Sequence, residues 1–165
     1  MGGGRTAAIG LAAIAIAAVA WLFWPEGDEG AIRRRLHALA EEANTPTDNG
    51  LGTIAKAARM GDYFTEQVLV EPGAGSQPIS GRDTVIGMAT RLRQATGPAI
   101  VDLKDLTVEK RAGSNIVDVT LTVTFTRRDS RTSEQTMDAR EFGLEVQKEG
   151  GEWRIARVVA VDTLR

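Results

Sequence analysis

An alternating run in the second half of the chain constrains the fold more than any other feature. Between Val117 and Thr126, apolar residues at every second position alternate with aspartate and threonine. Successive side chains of a β-strand point to opposite faces of a sheet, so this pattern predicts a strand with one buried and one wet face. The apolar members are Val117, Val119, Leu121, Val123 and Phe125. The domain must therefore contain a sheet that is covered on one side.

Further strands are predicted on both sides of this run. A period of two begins at Ile100, and the last strand is expected from Glu152, with Trp153 and Ile155 pointing inward. In the strand between, Met137 and Ala139 occupy odd positions, whereas Phe142, Leu144 and Val146 occupy even ones. This phase slip predicts a β-bulge near Arg140 and Glu141.

Helices are predicted in the first half of the chain. A 3.6-residue apolar period predicts one from about Glu29 to Ala43, with the single histidine, His37, on its wet side. A second helix precedes Gly61, because glycine often ends a helix. A third runs to about Ala95, and Ser80 with Asp83 three residues later resembles a capping box at its start.

The segment between the second and third helices carries several signals in a short length. Tyr63 and Phe64 are interpreted as part of a short aromatic helix, and the β-branched run Val68–Val70 as a short strand. The glycines and prolines that follow predict a loop. Helices first and long antiparallel strands afterwards predict an α+β domain.

A long apolar run stands at the beginning of the chain. Residues 7–24 include no charged side chain, and as a helix they would span about 27 Å, close to the roughly 30 Å hydrocarbon core of a bilayer. We therefore predict a membrane anchor at 1–25, a linker at 26–30 and a domain at 31–165. The small residues Ala18 and Ala20 leave a cleaved signal peptide as the alternative.

Flanking charges predict the orientation of this anchor. Arg5 lies on one side and Glu26, Asp28 and Glu29 on the other, which places the terminus in the cytoplasm and the domain outside the inner membrane. The three arginines at 33–35 favour the opposite orientation.

Composition excludes several kinds of site. The chain has no cysteine and one histidine, which excludes a disulfide, a thiol nucleophile and a His-rich metal site. With 20 basic and 22 acidic residues, no basic surface for nucleic acid is predicted. Gly73–Gly75 lacks the lysine of a phosphate-binding loop, and neither a metal nor a cofactor is predicted.

The order of elements resembles the nuclear transport factor 2-like superfamily, which includes ketosteroid isomerases and polyketide cyclase-like proteins. The local resemblance lies in Tyr63–Glu71, in the segment Gly75–Gly81 and in the closing Gly151–Ile155. It implies a cone, in which a curved, mostly antiparallel sheet wraps around about three helices and a pocket opens between them.

The residues that catalyse reactions in the isomerase branch are not matched. The resemblance implies a carboxylate base after the short strand, where this chain has Pro72, with Glu71 one residue early. The position of an acidic oxyanion donor holds Arg140. Glu71 is thus a weak candidate for a general base, and its simpler interpretation is a solvated residue at a strand end.

Two hypotheses for function follow. In the first and preferred one, a non-catalytic domain at the membrane surface binds a protein partner or forms a homodimer; its pocket is small or filled. In the second, the domain is a carrier or enzyme for a small apolar ligand, with Glu71 or Asp138 aimed into an open cavity. The pocket lining predicted for it comprises Met60, Tyr63, Phe64, Met88, Phe142 and Trp153.

Overall fold

The computed structural model describes residues 27–47, 50–128 and 134–161. Contacts divide the chain into two units, Met1–Gly30 and Ala31–Arg165. The described residues form three helices: α1 (Asp28–Asn44), α2 (Gly50–Gly61) and α3 (Arg82–Thr96). They also form six strands: β1 (Phe64–Glu71), β2 (Ile79–Ser80), β3 (Ile100–Lys110), β4 (Ile116–Arg128), β5 (Gln135–Glu149) and β6 (Glu152–Ala160). The predicted α+β class is confirmed.

The six strands form one mixed sheet in the order β2-β1-β6-β5-β4-β3. Strands β3 to β6 follow one another as antiparallel neighbours, and β2 pairs antiparallel with β1. Strand β1 lies parallel to β6, with Val70 opposite Val158. The mostly antiparallel sheet of the prediction is therefore confirmed, with one parallel pair inside it.

The core lies between α1 and one face of the sheet. Ile32 and Leu36 of α1 belong to the same buried cluster as Val119 of β4, Leu144 of β5 and Trp153 of β6. The alternation in β4 puts Val117, Val119, Leu121, Val123 and Phe125 on that face. Burying one side chain of this size contributes about 1.5–3 kcal/mol, so this layer fixes α1 on the sheet.

The β-bulge expected near Arg140 and Glu141 is a wrong prediction. Strands β4 and β5 keep one register from Ile116–Gln147 to Arg128–Gln135. Register shifts occur elsewhere, between Lys104 and Thr107 against β4 and between Glu145 and Val146 against β6. The even positions of β5 stay on one face along the strand, but their chemistry changes from apolar to charged at Arg140.

Two local predictions around β1 are also wrong. Phe64 is the first residue of β1 and not part of a helix, because its backbone pairs in parallel with Ile155 of β6. Ser80 belongs to β2, and the cap of α3 is Gly81, whose φ of 89° and ψ of 131° exclude most other residues. No side chain caps this helix start.

The predicted membrane anchor at residues 7–24 lies outside the described residues. Within the part of the chain that the structure describes, no helix has the length and apolar character needed to cross a membrane. His37 is exposed on α1, as expected from the helical period.

Candidate functional site

A cavity of about 550 Å³ lies between the helices and the end of the sheet furthest from the Trp153 core. Helices α2 and α3 form one wall, and strands β3, β4 and β5 form the other. Its lining comprises Ala43, Thr47, Thr53, Lys56, Ala57, Met60, Ile86, Ala89, Thr90, Leu92, Arg93, Thr96, Gly97, Ala99, Val101, Phe125, Arg127, Asp138 and Arg140.

The cavity exists because β4 and β5 extend beyond the core. Val119 and Leu144 face each other in the core, whereas further along the same pair of strands Phe125 faces Asp138. Residues directly opposite in an antiparallel pair share a face. The sheet face therefore continues from buried aliphatic side chains into the wall of an open space.

The cavity walls are largely apolar. Met60 of α2 and Ile86 of α3 lie on the helix side, and Val101 and Phe125 lie on the sheet side. Leu92 of α3 also lines the cavity and is 62% exposed. Apolar walls with a few polar groups are typical of small-molecule sites.

Lys56 is the most buried charged residue of this wall, with 5% exposure. Its Nζ donates hydrogen bonds to the carbonyl oxygens of Ala43 at 2.9 Å and Thr45 at 2.5 Å. Burial lowers the pKa of Lys56, and the positive charge of Arg93 lowers it further. The hydrogen bonds satisfy two backbone groups at the carboxyl end of α1, which have no partner within the helix.

Arg93 reaches the same helix end from α3. Its Nη1 donates a hydrogen bond of 2.5 Å to the carbonyl oxygen of Ala43, which therefore accepts from both cations. The carboxyl end of a helix carries partial negative charge, which favours cations. Lys56 and Arg93 thus join all three helices at the cavity wall.

Charged residues of the strands also line the cavity. Asp138 and Arg140 are both largely exposed and lie 3.8 Å apart between Oδ2 and Nε. Such a pair contributes little to stability. Asp138 was predicted as a carboxylate that points into the cavity. It lines the cavity as a solvated group beside the guanidinium of Arg140.

The residues predicted as pocket lining separate into different environments. Met60 lies in the cavity wall. Tyr63 and Trp153 line a space of only about 10 Å³ within the core. Phe64 and Phe142 pack against the core cluster.

Arg35 explains the position of Tyr63. Its guanidinium lies 4.4 Å from the centre of the Tyr63 ring and also donates to the Asp62 carbonyl oxygen at 2.9 Å. The sixth predicted residue, Met88, is 46% exposed on α3 and is not among the cavity residues. The structure therefore brings only Met60 of the six into the cavity.

Glu71 lies on the opposite face of the sheet. Arg157 Nη2 donates to both carboxylate oxygens of Glu71, at 2.8 and 3.1 Å. Glu145 lies 3.5 Å from the other terminal nitrogen of Arg157. The hydrogen bonds that Arg157 donates to Glu71 raise the pKa of Arg157, and this network occupies the carboxylate that was the candidate base.

Lys56 and Arg93 were not identified from the sequence as site residues. A signal was present, because Lys56 stands in an alanine-rich helix four residues before Met60, and Arg93 stands seven residues after Ile86. Residues at these spacings share one helix face. A cation on the apolar face of each helix indicates a shared buried partner, here the end of α1.

The described residues provide no cluster of three or more His, Cys, Asp or Glu side chains that could hold a metal ion. The titratable groups in the cavity wall are those of Lys56, Arg93, Arg127, Asp138 and Arg140.

Comparison with known proteins gives structural matches. No family model matches the chain, and no curated protein matches it in sequence. An NTF2-like protein with a cystatin-like fold from Novosphingobium aromaticivorans is 15% identical with a TM-score of 0.63, and the match covers 90% of each chain. A protein from the same organism, provisionally named an aromatic ring hydroxylase, is 17% identical with a TM-score of 0.66 over 86% of this chain and 92% of its own.

A third solved structure is an NTF2-like protein of unknown function from Pseudomonas putida. It is 12% identical with a TM-score of 0.62, over 83% of this chain and 87% of its own. Structural similarity at such low sequence identity establishes the fold, whereas function must be argued from the site. The sheet order, the three helices and these neighbours together show that the chain has the nuclear transport factor 2-like fold.

Proposed function

We propose that this domain binds a small, largely apolar molecule in the cavity between α2, α3 and the sheet. The observation that carries the proposal is the open volume of about 550 Å³ with apolar walls. Ligand pockets generally have volumes of about 300–1,000 Å³. The preferred hypothesis from sequence expected a small or filled pocket, and the volume favours the ligand-binding alternative.

The proposed role is that of a carrier or sensor without catalysis. A general acid or base must reach the reacting atom and have a suitable environment. Of the described residues in the cavity wall, Asp138 is a solvated carboxylate beside Arg140, and Lys56 uses two of its donors on backbone carbonyls. This arrangement favours holding a molecule over transferring its protons.

The proposal includes a location at a membrane. The apolar run at residues 7–24 would hold the domain at the extracytoplasmic surface of the inner membrane. A carrier at that position would receive apolar molecules that enter or leave the bilayer.

Binding is tested with the purified full chain in lipid nanodiscs and 2-naphthylmethanol as a neutral probe. The chain contains four methionines, at positions 1, 60, 88 and 137, so methyl NMR of labelled methionine separates the cavity from other surfaces. We expect the Met60 methyl to shift saturably with the free probe concentration, measured by dialysis. Met88 and Met137 lie outside the cavity lining and report nonspecific binding.

A pair of variants on α3 provides the control. Ala89→Trp places a large side chain into the cavity, whereas Ala95→Trp adds the same volume at an exposed position outside it. We expect Ala89→Trp to weaken binding roughly tenfold or more, equivalent to at least about 1.4 kcal/mol, and Ala95→Trp to leave it unchanged. Absence of a saturable Met60 shift in the unsubstituted chain would refute the proposed function.

Self-association is the second candidate function. Met137 is 63% exposed and lies opposite Thr126 on the outer face of the sheet, so an exposed apolar side chain stands on this face. Sedimentation of the full chain tests this candidate. A dimer that dissociates on Met137→Lys supports it, and a monomer at all accessible concentrations refutes it.

A further inference from the structure

Positive charge is concentrated in the cavity wall. Lys56, Arg93, Arg127 and Arg140 line it together with a single carboxylate, Asp138. The whole chain has a formal net charge of −2, so the excess is local and does not follow from the composition. A cleft lined by one sign of charge raises the local concentration of molecules of the opposite sign.

The two cations on the helix side of the cavity, Lys56 and Arg93, retain unused hydrogen-bond donors. An ammonium group has three donors and a guanidinium has five. Lys56 donates to Ala43 and Thr45, and Arg93 donates to Ala43. The described contacts therefore leave one N–H of Lys56 and several of Arg93 for another acceptor.

These cations lie where an added anion would interact strongly. Lys56 is almost fully buried, and the attraction between opposite charges grows as water is excluded. Lys56 and Arg93 repel each other, since the charge of Arg93 lowers the pKa of Lys56. An anion between them would offset this repulsion.

The other two cations lie on the strand side and are accessible to solvent. Arg140 is 62% exposed, with Asp138 beside it. Arg127 is exposed and has no ion pair with any residue that the structure describes. Exposed charges at a binding site mainly accelerate association and make it dependent on salt.

Resting on the proposed function, we propose that the ligand is an amphipathic organic anion. Its apolar body occupies the space between Met60, Ile86 and Phe125, and its single anionic group accepts hydrogen bonds from Lys56 and Arg93. Arg127 and Arg140 attract the anion toward the opening. The anionic group is a carboxylate or a group of equivalent charge and hydrogen-bonding capacity.

Three probes of one shape and different charge test this inference. They are 2-naphthoate, 2-naphthylmethanol and 2-naphthylmethylammonium, each titrated against the full chain in nanodiscs with the Met60 methyl as readout. A charge-assisted hydrogen bond in a buried site corresponds to an affinity gain of roughly tenfold or more. We expect naphthoate to bind at least that much more tightly than the alcohol, and the ammonium compound to bind most weakly.

Variants of α3 locate the anionic group. Arg93→Gln should reduce the ratio of the affinity for naphthoate to the affinity for the alcohol roughly tenfold. Arg91→Gln removes the same charge from an exposed position outside the cavity and should leave the preference intact. Saturable binding of the alcohol also shows that Arg93→Gln remains folded.

Two further measurements separate the cations of the helices from those of the strands. Naphthoate should raise the pKa of Lys56, observed by NMR of its Nζ, because a nearby anion stabilises the ammonium form. Arg127→Gln with Arg140→Gln should slow association at low salt and leave dissociation nearly unchanged.

The outcomes distinguish this inference from the proposed function. If the alcohol binds as tightly as naphthoate, or more tightly, the anionic ligand class is refuted and the cavity remains a ligand site. If Arg93→Gln keeps the full preference, the assigned position of the anion is wrong. If none of the three probes shifts Met60 saturably, both the inference and the proposed function fail.

Discussion

Lys56 shows how one side chain serves both the fold and the cavity. Its ammonium group donates hydrogen bonds to the carbonyl oxygen of Ala43, in the last turn of α1, and to that of Thr45 just beyond it, and the residue also lines the cavity. A lysine with 5% exposure is unusual unless its charge has partners. The partners here are backbone carbonyls, which accept hydrogen bonds and carry no charge that would cancel that of the ammonium group.

The first prediction concerns the pKa of Lys56, which burial and Arg93 lower from its ordinary value of 10.5. Arg93→Gln should raise this pKa because it removes a cation, whereas Glu42→Gln should lower it because Glu42 stabilises the ammonium form. An NMR titration of Lys56 Nζ measures all three values. Arg91→Gln is the control, and a shift of equal size in that variant would contradict the assignment to Arg93.

The same pKa has a defined effect on stability. The unfolded chain binds the Lys56 proton more tightly than the folded chain does, so it holds more protons between the lowered pKa and 10.5. The free energy of unfolding therefore rises with pH in that window as far as Lys56 is concerned. Below the lowered pKa, the contribution of Lys56 does not change with pH.

The second prediction concerns Asn44, the last residue of α1. Its side chain forms two hydrogen bonds with Val101 of β3, one from Nδ2 to the carbonyl oxygen and one from the Val101 amide to Oδ1, both 2.7 Å long. Strand β3 is at the edge of the sheet, so Asn44 takes the place of a neighbouring strand at this residue. Asn44→Ala should lower the free energy of unfolding by about 1–3 kcal/mol, the net value of two hydrogen bonds.

Chemical denaturation and amide exchange measure this effect. The Val101 amide should exchange faster in Asn44→Ala, whereas Gln94→Ala, at an exposed position of α3, should change neither stability nor exchange at Val101. Equal protection of Val101 with and without Asn44 would show that these hydrogen bonds are not formed in solution.

At the level of elements, the start of α3 differs from the one that residue types alone predicted. The sequence pattern predicted a capping box with Ser80, but the residue that precedes α3 is Gly81. The amide of Gly81 donates a hydrogen bond of 2.9 Å to the carbonyl oxygen of Val68. This bond joins the helix start to β1. A backbone with φ of 89° at that point requires glycine.

The third prediction compares two glycines of this region. Gly81→Ala should destabilise the domain by about 1–3 kcal/mol, because φ is positive and a side chain is strained there. Gly87 lies inside α3, and a Cβ at that position would meet no atom within 4 Å. Gly87→Ala should therefore stabilise the domain by roughly 0.5–1 kcal/mol.

Thermal and urea unfolding of the two variants measure these opposite signs. Because the same methyl group is added in both cases, a general intolerance of the region to alanine would make both variants less stable. That result would refute the assignment of the Gly81 effect to backbone conformation.

Local periodicity predicted which residues form strands better than it predicted what covers each residue in the folded domain. The alternation in β4 correctly assigned Val119 to a buried face, since the face of a residue depends only on a period of two. The same period does not show how far along the strand the covering helix extends. Asp138 and Arg140 share the face of Leu144, and their position beyond the core accounts for the phase slip that was interpreted as a bulge.

At the scale of the whole molecule, the site was less predictable than the fold. The cavity depends on where α2 and α3 lie over the ends of β3, β4 and β5, which is a tertiary property. Aromatic residues were expected in the lining, but Trp153 and Phe142 pack in or against the core because large apolar side chains gain most from full burial. The lining instead combines aliphatic side chains and Phe125 with long cationic side chains.

Residues 1–26 and the domain have separate physical roles in the proposed function. The buried apolar residues identified in the described part of the chain begin at Ile32, whereas the continuous apolar run is at residues 7–24. The buried core of the described part of the chain is thus formed by residues that follow the apolar run. Attachment to a membrane, in contrast, would depend on the apolar run alone.

The fourth prediction follows from that separation and tests the proposed location. A chain that begins at Gly27 should unfold at the same temperature as the domain in the full chain, and it should leave the membrane fraction on cell lysis. A charged residue at the centre of a spanning helix costs about 2.5–3.5 kcal/mol, so Ile14→Lys with Ile16→Lys should reduce membrane insertion of the full chain. Fractionation in carbonate, followed by detection of the domain, measures both effects.

Arg5→Gln with Arg33→Gln changes charge outside the apolar run and should leave the protein in the membrane. Recovery of the Gly27 chain in the membrane fraction, or of the full chain outside it, would refute the proposed anchor without affecting the ligand-binding proposal.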